Sequence, residues 1–277
     1  MKLIILGLFL SFSLLGQTLI SGKITDSLSG QPIPFASIGI LGKSIGTLSD
    51  ENGNFEFSYA RNSTKDTVMF FAIGYKVIAT QVTEYINSKR QNIKLIIIPL
   101  ELDEVVIQSK KIKYDYLGNT NYTKINCSGF VKNTINWKGS EAAIIAGNKV
   151  GRSVTLESFA FYVIQNKYSD SLKFRLMFYE ASEKKWPRYK TFLRKPIFFK
   201  VGIKQGEFIL NLKDYNIITS KDFFISLECL MDEIDISKFC YAGSYSTPSF
   251  VKVSAFDRWH KTRGGGADFN VKVSYVK

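Results

Sequence analysis

Apolar and polar residues alternate in short bursts along most of this chain, and turn residues separate the bursts. Phe55, Phe57 and Tyr59 fall two apart and so share one face of an extended strand. Leu172, Phe174, Leu176 and Phe178 alternate with Lys173, Arg175, Met177 and Tyr179, a period of two that predicts a half-buried strand. Phe269, Val271, Val273 and Tyr275 repeat the pattern, and Val154–Ile164 alternates over a longer stretch. Thr67–Ile73 and Ile93–Leu100 are nearly continuous apolar runs, as fully buried strands are.

With Thr18–Thr25, Phe35–Leu41, Tyr75–Val82 and Glu104–Ile107, these runs predict a small β-sandwich over residues 18–108. Asn52-Gly53, in Asp50–Asn54, predicts a hairpin turn because such turns need positive φ. Residues 109–123 are rich in Lys and Tyr and weakly periodic, and read as a linker. Further strands are predicted at Pro196–Val201, Glu207–Leu212, Asp222–Leu230, Phe239–Tyr241 and Phe250–Ala255. They predict a larger antiparallel, jelly-roll-like sandwich over 124–277, with a turn of helix at Lys213–Ile218. The expected fold class is all-β.

The first residues carry different information. Lys2 followed by the apolar run Leu3–Leu15 reads as a signal peptide over residues 1–17, cleaved between Ser13 and Gln17; an uncleaved anchor is the alternative. No later run reaches the ~18 apolar residues of a spanning helix, so no transmembrane segment is expected in the mature chain. Export implies an oxidising compartment. Cys229 and Cys240 are the candidate disulfide pair, against the alternative of three unpaired buried thiols with Cys127.

Charge divides the chain. Residues 17–108 hold 8 Lys and Arg against 9 Asp and Glu, whereas residues 109–277 hold 28 against 15. An anionic partner therefore belongs to the second half. Lys184, Lys185, Arg188, Lys190, Arg194, Lys195, Lys200 and Lys204 fall within one segment free of acids, interleaved with Trp186, Tyr189, Phe192, Phe198 and Phe199. This segment suits a sulfated or phosphorylated glycan or a lipid head group, or else is a solvated edge that resists aggregation. Nucleic acid is not expected as a partner of an exported protein. Arg258-Trp259-His260-Lys261-Thr262-Arg263 forms a second cationic and aromatic tip. Trp259 there either stacks on a sugar or folds back onto the core.

The ordered set Gly22-x-Ile-x-Asp26, Gly30-x-Pro-Ile-Pro-x-Ala36, Gly46-Thr-x-x-Asp50, Asn52-Gly-x-Phe55 and Ile73-Gly-Tyr75 resembles the carboxypeptidase regulatory-like domain. Leu102–Ile107 is similar to the segment that closes such domains in bacterial outer-membrane proteins, including the N-terminal extensions of TonB-dependent transporters. The resemblance implies a transthyretin-like β-sandwich with a structural role and no catalytic residues. Phe174–Tyr179 and Asp222–Glu228 are similar to jelly-roll domains that follow such modules in exported bacterial proteins.

Candidate chemistry is sparse. Zinc peptidase chemistry needs several metal ligands, and His260 is the one histidine of the chain. No Gly-x-Ser-x-Gly elbow accompanies His260, so no catalytic residue, metal site or cofactor is expected. Asp50–Asn54 lacks the glycine and glutamate spacing of an EF-hand loop, and Gly264–Gly266 lacks the Lys of a phosphate loop. Asp26-Ser-Leu, Asp66-Thr-Val and Asp170-Ser-Leu resemble short O-glycan acceptor sites but also suit turns. The expectation is a non-catalytic protein of the periplasm or outer surface of a Gram-negative cell. It would bind a glycan, lipopolysaccharide or another anion through Lys184, Lys185, Trp186, Arg188, Arg194, Lys195, Arg258, Trp259, His260 and Arg263. The alternatives are an adaptor docking to an outer-membrane protein, and a hydrolase with an unfamiliar site.

Overall fold

The computed structural model describes residues 17–60, 65–88, 92–99, 111–121, 123–130, 137–245 and 247–277. The expected signal peptide before Gln17 and the expected strand at Glu104–Ile107 lie outside the described residues. The described chain is built almost entirely of strands, in two sandwiches with separate cores.

The first sandwich contains β1 (Gln17–Asp26), β2 (Ser37–Ile40), β3 (Gly46–Leu48), β4 (Asn54–Ala60), β5 (Thr67–Phe71), β6 (Ile78–Gln81), a short helix α1 (Val82–Asn87) and β7 (Asn92–Leu95). One sheet runs β4-β1-β7 and the other β3-β2-β5-β6. Ile20, Ile24, Ile38, Ile40, Val68 and Phe70 fill the space between them, with Phe55, Phe57 and Tyr59 of β4 pointing inward as their spacing predicts. The Asp50–Asn54 turn is not a hairpin. It carries the chain from β3 in one sheet to β4 in the other. Asp50 accepts backbone N–H bonds from Asn52 and Asn54 at 2.9 and 2.8 Å. Gly53 has φ +78°, and a Cβ there would stand 2.4 Å from the carbonyl oxygen of Ile24. The glycine serves close packing as well as the turn.

The second sandwich contains β8 (Ile112–Gly118), β9 (Thr123–Ser128), β10 (Glu141–Ala146), β11 (Val154–Asn166), β12 (Leu172–Ala181), β13 (Pro187–Thr191), β14 (Ile197–Val201), β15 (Gly206–Asn211), β16 (Ile218–Thr219), β17 (Phe223–Cys229), β18 (Phe239–Ser244), β19 (Phe250–Lys252), β20 (His260–Lys261), β21 (Gly266–Ala267) and β22 (Asn270–Val276). A 3-10 turn at Lys213–Tyr215 stands where a turn of helix is predicted. One sheet runs β13-β12-β17-β10-β19-β20, with β14 also on β12. The other runs β21-β18-β11-β22-β8, with β15 and β16 on β11 and β9 on β18. Phe159, Phe161, Phe174, Phe178, Tyr241 and Phe269 are buried in the core, many in edge-to-face pairs that favour this packing.

Three further expectations are corrected. The stretch 109–123 is not a linker throughout, because β8 pairs with β22 over seven residues. Its weak periodicity has a simple cause: Leu117 points into the core while Ile112, Tyr114 and Tyr116 are exposed. The disulfide joins Cys127 to Cys240, with Cα atoms 5.5 Å apart, and not Cys229 to Cys240. Cys229 is on β17 and Cys240 on β18, in different sheets, whereas β9 carries Cys127 alongside β18. Buried Cys229 stays a thiol whose pKa burial pushes up to about 12. Finally, β12 is buried on both faces. Leu172, Phe174, Leu176 and Phe178 enter the core; on the other face Arg175 bonds to the first sandwich, and Met177 and Tyr179 are buried beside the cleft between the sandwiches.

Candidate functional site

The covered face carries a row of charges in strand register. Arg175 on β12 stands opposite Glu228 on β17, Glu228 opposite Glu141 on β10, and Glu141 opposite Lys252 on β19. All four side chains are buried. Arg175 Nε donates to Glu228 Oε2 at 2.5 Å, and Lys252 Nζ lies 2.7 Å from Glu141 Oε1. Tyr179 and Ser226 hydroxyls also donate to Glu141, at 2.9 and 2.7 Å to Oε2. Glu228 Oε1 has no hydrogen-bond partner among the described residues. Burial raises the Glu228 pKa against the pull of Arg175, with the neighbouring Glu141 adding to the rise.

The same Arg175 ties the sandwiches together. Its Nη1 donates to the carbonyl of Phe35 at 2.6 Å and its Nη2 to Ser37 Oγ at 3.1 Å. Phe35 adopts φ +54°, uncommon for a non-glycine residue, and its ring packs 5.3 Å from that of Phe198. Ser44 donates to Asp257 at 2.8 Å, and the backbone N–H of Gly42 to the Phe256 carbonyl at 2.9 Å.

Beside this junction is a cleft of about 490 Å3. The first sandwich supplies Leu41, Met69, Phe71, Val77 and Ile98 to its walls, and the second Met177, Tyr189, Leu193 and Phe256. Glu141, Arg175 and Lys252 reach its floor, and Lys76 stands at its edge. A more open depression of about 710 Å3 elsewhere on the junction is lined mainly by polar groups such as Asp50, Lys138 and Asp232.

The predicted binding residues separate into three groups. Lys184, Lys185 and Trp186 occupy the turn between β12 and β13, followed by exposed Arg188. Lys185 is ion-paired with Asp222. Trp186 is 41% exposed, and its ring meets Phe250 edge-on at 5.1 Å. Lys261 Nζ lies 5.9 Å from the same Phe250 ring, and Phe250 and Val251 pair with Lys261 and His260. The two segments that the sequence leaves far apart therefore meet around Phe250. Arg258 and Asp257 sit close enough to Tyr189 to act on its hydroxyl. Burial raises that pKa most, Asp257 adds to the rise and Arg258 opposes it. Arg194 and Lys195 form the second group, lining a different cavity with Glu157, Tyr215 and Asn216. Arg263 is exposed in the loop before β21. That loop ends at Gly266, where a Cβ would stand 2.0 Å from the Thr247 carbonyl oxygen.

Trp259 departs from the stacking role and takes the folded-back alternative. It is 7% exposed, packs edge-to-face on Tyr179 at 5.6 Å, and receives Lys252 Nζ 4.8 Å from its ring. The exposed indole at this end of the sheet is Trp186. A histidine with two carboxylates in one pocket does not form. His260 is exposed on β20, while Glu141 and Glu228 are engaged by Tyr179, Ser226, Lys252 and Arg175. Among the described residues no three His, Cys, Asp or Glu side chains gather into a metal-binding cluster. Asp26 accepts the N–H groups of Leu28 and Ser29 in a turn, whereas Asp66, which takes Lys43 and Tyr59, leads directly into β5. What sequence reasoning missed is the cleft and the charge row. The signal was Arg175 and Glu228, each placed amid apolar residues of a strand.

Comparison with known proteins bears on the first sandwich. Residues 20–107 match the CarboxypepD_reg-like domain. The three-plus-four strand sandwich is the architecture that this resemblance implies. None of the curated proteins compared with the chain matches it. Among solved structures, the chain is similar to the VP2 subviral particle of infectious bursal disease virus, at 7% identity over 93% of this chain and 63% of that one, with a TM-score of 0.27. It is also similar to the T13 particle of the same virus, at 10% identity over 94% and 58%, with a TM-score of 0.24. The chain spans less than two thirds of those chains, and no inference rests on so loose a likeness.

Proposed function

We propose that the protein is an exported, non-catalytic binding module of the cell envelope, and that it holds an anionic glycan on the shoulder around Phe250. One observation carries this reading: Trp186 and Lys261 converge on that ring from separate parts of the chain, with Lys184, Arg188 and His260 adjacent in sequence. Trp186 offers a half-exposed indole face on which a sugar ring can stack, while Lys184, Arg188 and Lys261 supply cations for sulfate, phosphate or carboxylate groups. Each carboxylate of the charge row is paired with a buried cation, Glu228 with Arg175 and Glu141 with Lys252, which fits a structural rather than a catalytic part.

The test is a screen of sulfated glycans and lipopolysaccharide at two salt concentrations, with Trp186→Ala and Arg188→Ala beside the parent. Salt-sensitive binding weakened by both substitutions supports the reading. Absence of binding at low salt overturns it. A second reading, an adaptor docking to an outer-membrane protein, draws on the exposed apolar side chains Ile112, Tyr114, Tyr116 and Ile209 on the opposite sheet. Capture of a partner that is lost in Tyr114→Asp would favour it.

A further inference from the structure

We infer that the cleft between the two sandwiches is a second ligand site, built for the chain of a single-tailed amphiphile with an anionic head. This site is distinct from the shoulder around Phe250.

The walls argue for the tail. Leu41, Val77, Ile98 and Tyr189 line the cleft, yet each leaves roughly half its surface to solvent, at 49, 50, 49 and 52%. A concave cluster of apolar side chains left wet in this way marks a binding groove more often than an accident of packing. Met69 and Met177 lie deeper, and their unbranched, polarisable side chains adapt to a flexible guest. At about 490 Å3 the space falls within the range of small-molecule sites and is too small for a folded partner.

The charges argue for the head. Arg175 and Lys252 in the floor are neutralised by Glu228 and Glu141, so the depth of the cleft carries no net charge to attract an ion. Lys76 lines the cleft and is exposed, Arg258 lies outside the lining but acts on the cleft residue Tyr189, and neither cation makes a salt bridge among the described residues. The Arg258 side chain passes within 3.7 Å of the position a Gly42 Cβ would take, beside Leu41. An apolar tail between the walls would therefore bring a carboxylate or phosphate head to two cations.

Dodecanoate, kept below its micellar concentration, is the probe, with dodecyl maltoside, hexanoate and inorganic phosphate beside it in titration calorimetry on the full chain. Dodecanoate should bind one to one, with hexanoate weaker by about tenfold or more and dodecyl maltoside weaker by about tenfold. Val77→Glu alters a half-exposed side chain at the mouth and should weaken dodecanoate by about tenfold or more, and the Lys76→Ala/Arg258→Ala pair by about tenfold. Trp186→Ala should leave dodecanoate binding unchanged, which separates this site from the shoulder. The inference is overturned if dodecanoate does not bind, if Val77→Glu leaves its binding unchanged in a folded protein, or if phosphate alone binds as well.

Discussion

Arg175 and Glu228 face one another across β12 and β17 at 2.5 Å, and the same guanidinium reaches the Phe35 carbonyl of the other sandwich at 2.6 Å. A single side chain thus neutralises a buried carboxylate and fastens a domain. Removing one member of such a pair leaves its partner charged and unpaired in a dry interior. Arg175→Met is expected to cost about 3–5 kcal/mol in urea denaturation. The double variant Arg175→Met/Glu228→Leu should recover much of that loss, because two apolar groups need no counter-charge. A single variant as stable as the parent would mean that the row is not the fastening it looks to be.

Asp268 gives a pH dependence of known sign. The residue is buried, neither carboxylate oxygen has a hydrogen-bond partner among the described residues, and burial, with Glu207 adding, raises its pKa to about 7. A carboxyl in the unfolded chain titrates near ~3.9, so the folded state holds the proton more tightly. The stability that follows is complete below about pH 4 and is lost as the pH rises through about 7. Asp268→Asn keeps the neutral form at every pH. Its melting temperature should exceed that of the parent at pH 8, and the difference should shrink steadily towards pH 4. A difference independent of pH would show that Asp268 does not titrate in this range.

The first sandwich was largely legible because its cues are local. Glycines and asparagine mark turns, and Phe55, Phe57 and Tyr59 mark an inward face, so the resemblance and the strands agree. Even there, a turn residue cannot say whether the chain returns to the same sheet, and the Asp50–Asn54 turn changes sheets. In the second sandwich the misreading of β12 has a clear cause. Alternation in β12 predicts one wet face, but a second domain lies on that face, so Arg175, Met177 and Tyr179 are as buried as their apolar neighbours. Periodicity reports which side chains share a face and is silent on what covers it. The convergence of Trp186 and Lys261 on Phe250 depends on long-range strand order, which no local pattern encodes.

The cysteines separate the two pairings cleanly. Cys127–Cys240 closes a separation of 113 residues, so breaking it by Cys127→Ala should cost about 2–5 kcal/mol. Cys229→Ala trims a buried thiol and should cost about 1 kcal/mol. Alkylation of the unreduced, denatured protein should modify a single thiol, and peptide mass mapping should place it at Cys229. Modification at Cys127 or Cys240 without reductant would contradict the observed bridge.

Trp186 and Trp259 are both binding residues by the sequence reading, but the first is half-exposed and the second buried, and paired alanine variants test the difference. Trp259 is packed between Tyr179 and the Lys252 ammonium, so Trp259→Ala opens a cavity under the charge row and should cost about 3–5 kcal/mol. Any loss of binding in that variant would be secondary to lost structure. Trp186 lies half in solvent against Phe250, and its replacement should change stability by about 1 kcal/mol or less. Glycan binding should nevertheless fall sharply, because the stacking surface is gone. Thermal denaturation and glycan titration on both variants give the answer. Equal stability losses, or glycan binding indifferent to Trp186→Ala, would remove the indole from the binding surface and leave only the lysines and arginines to support it.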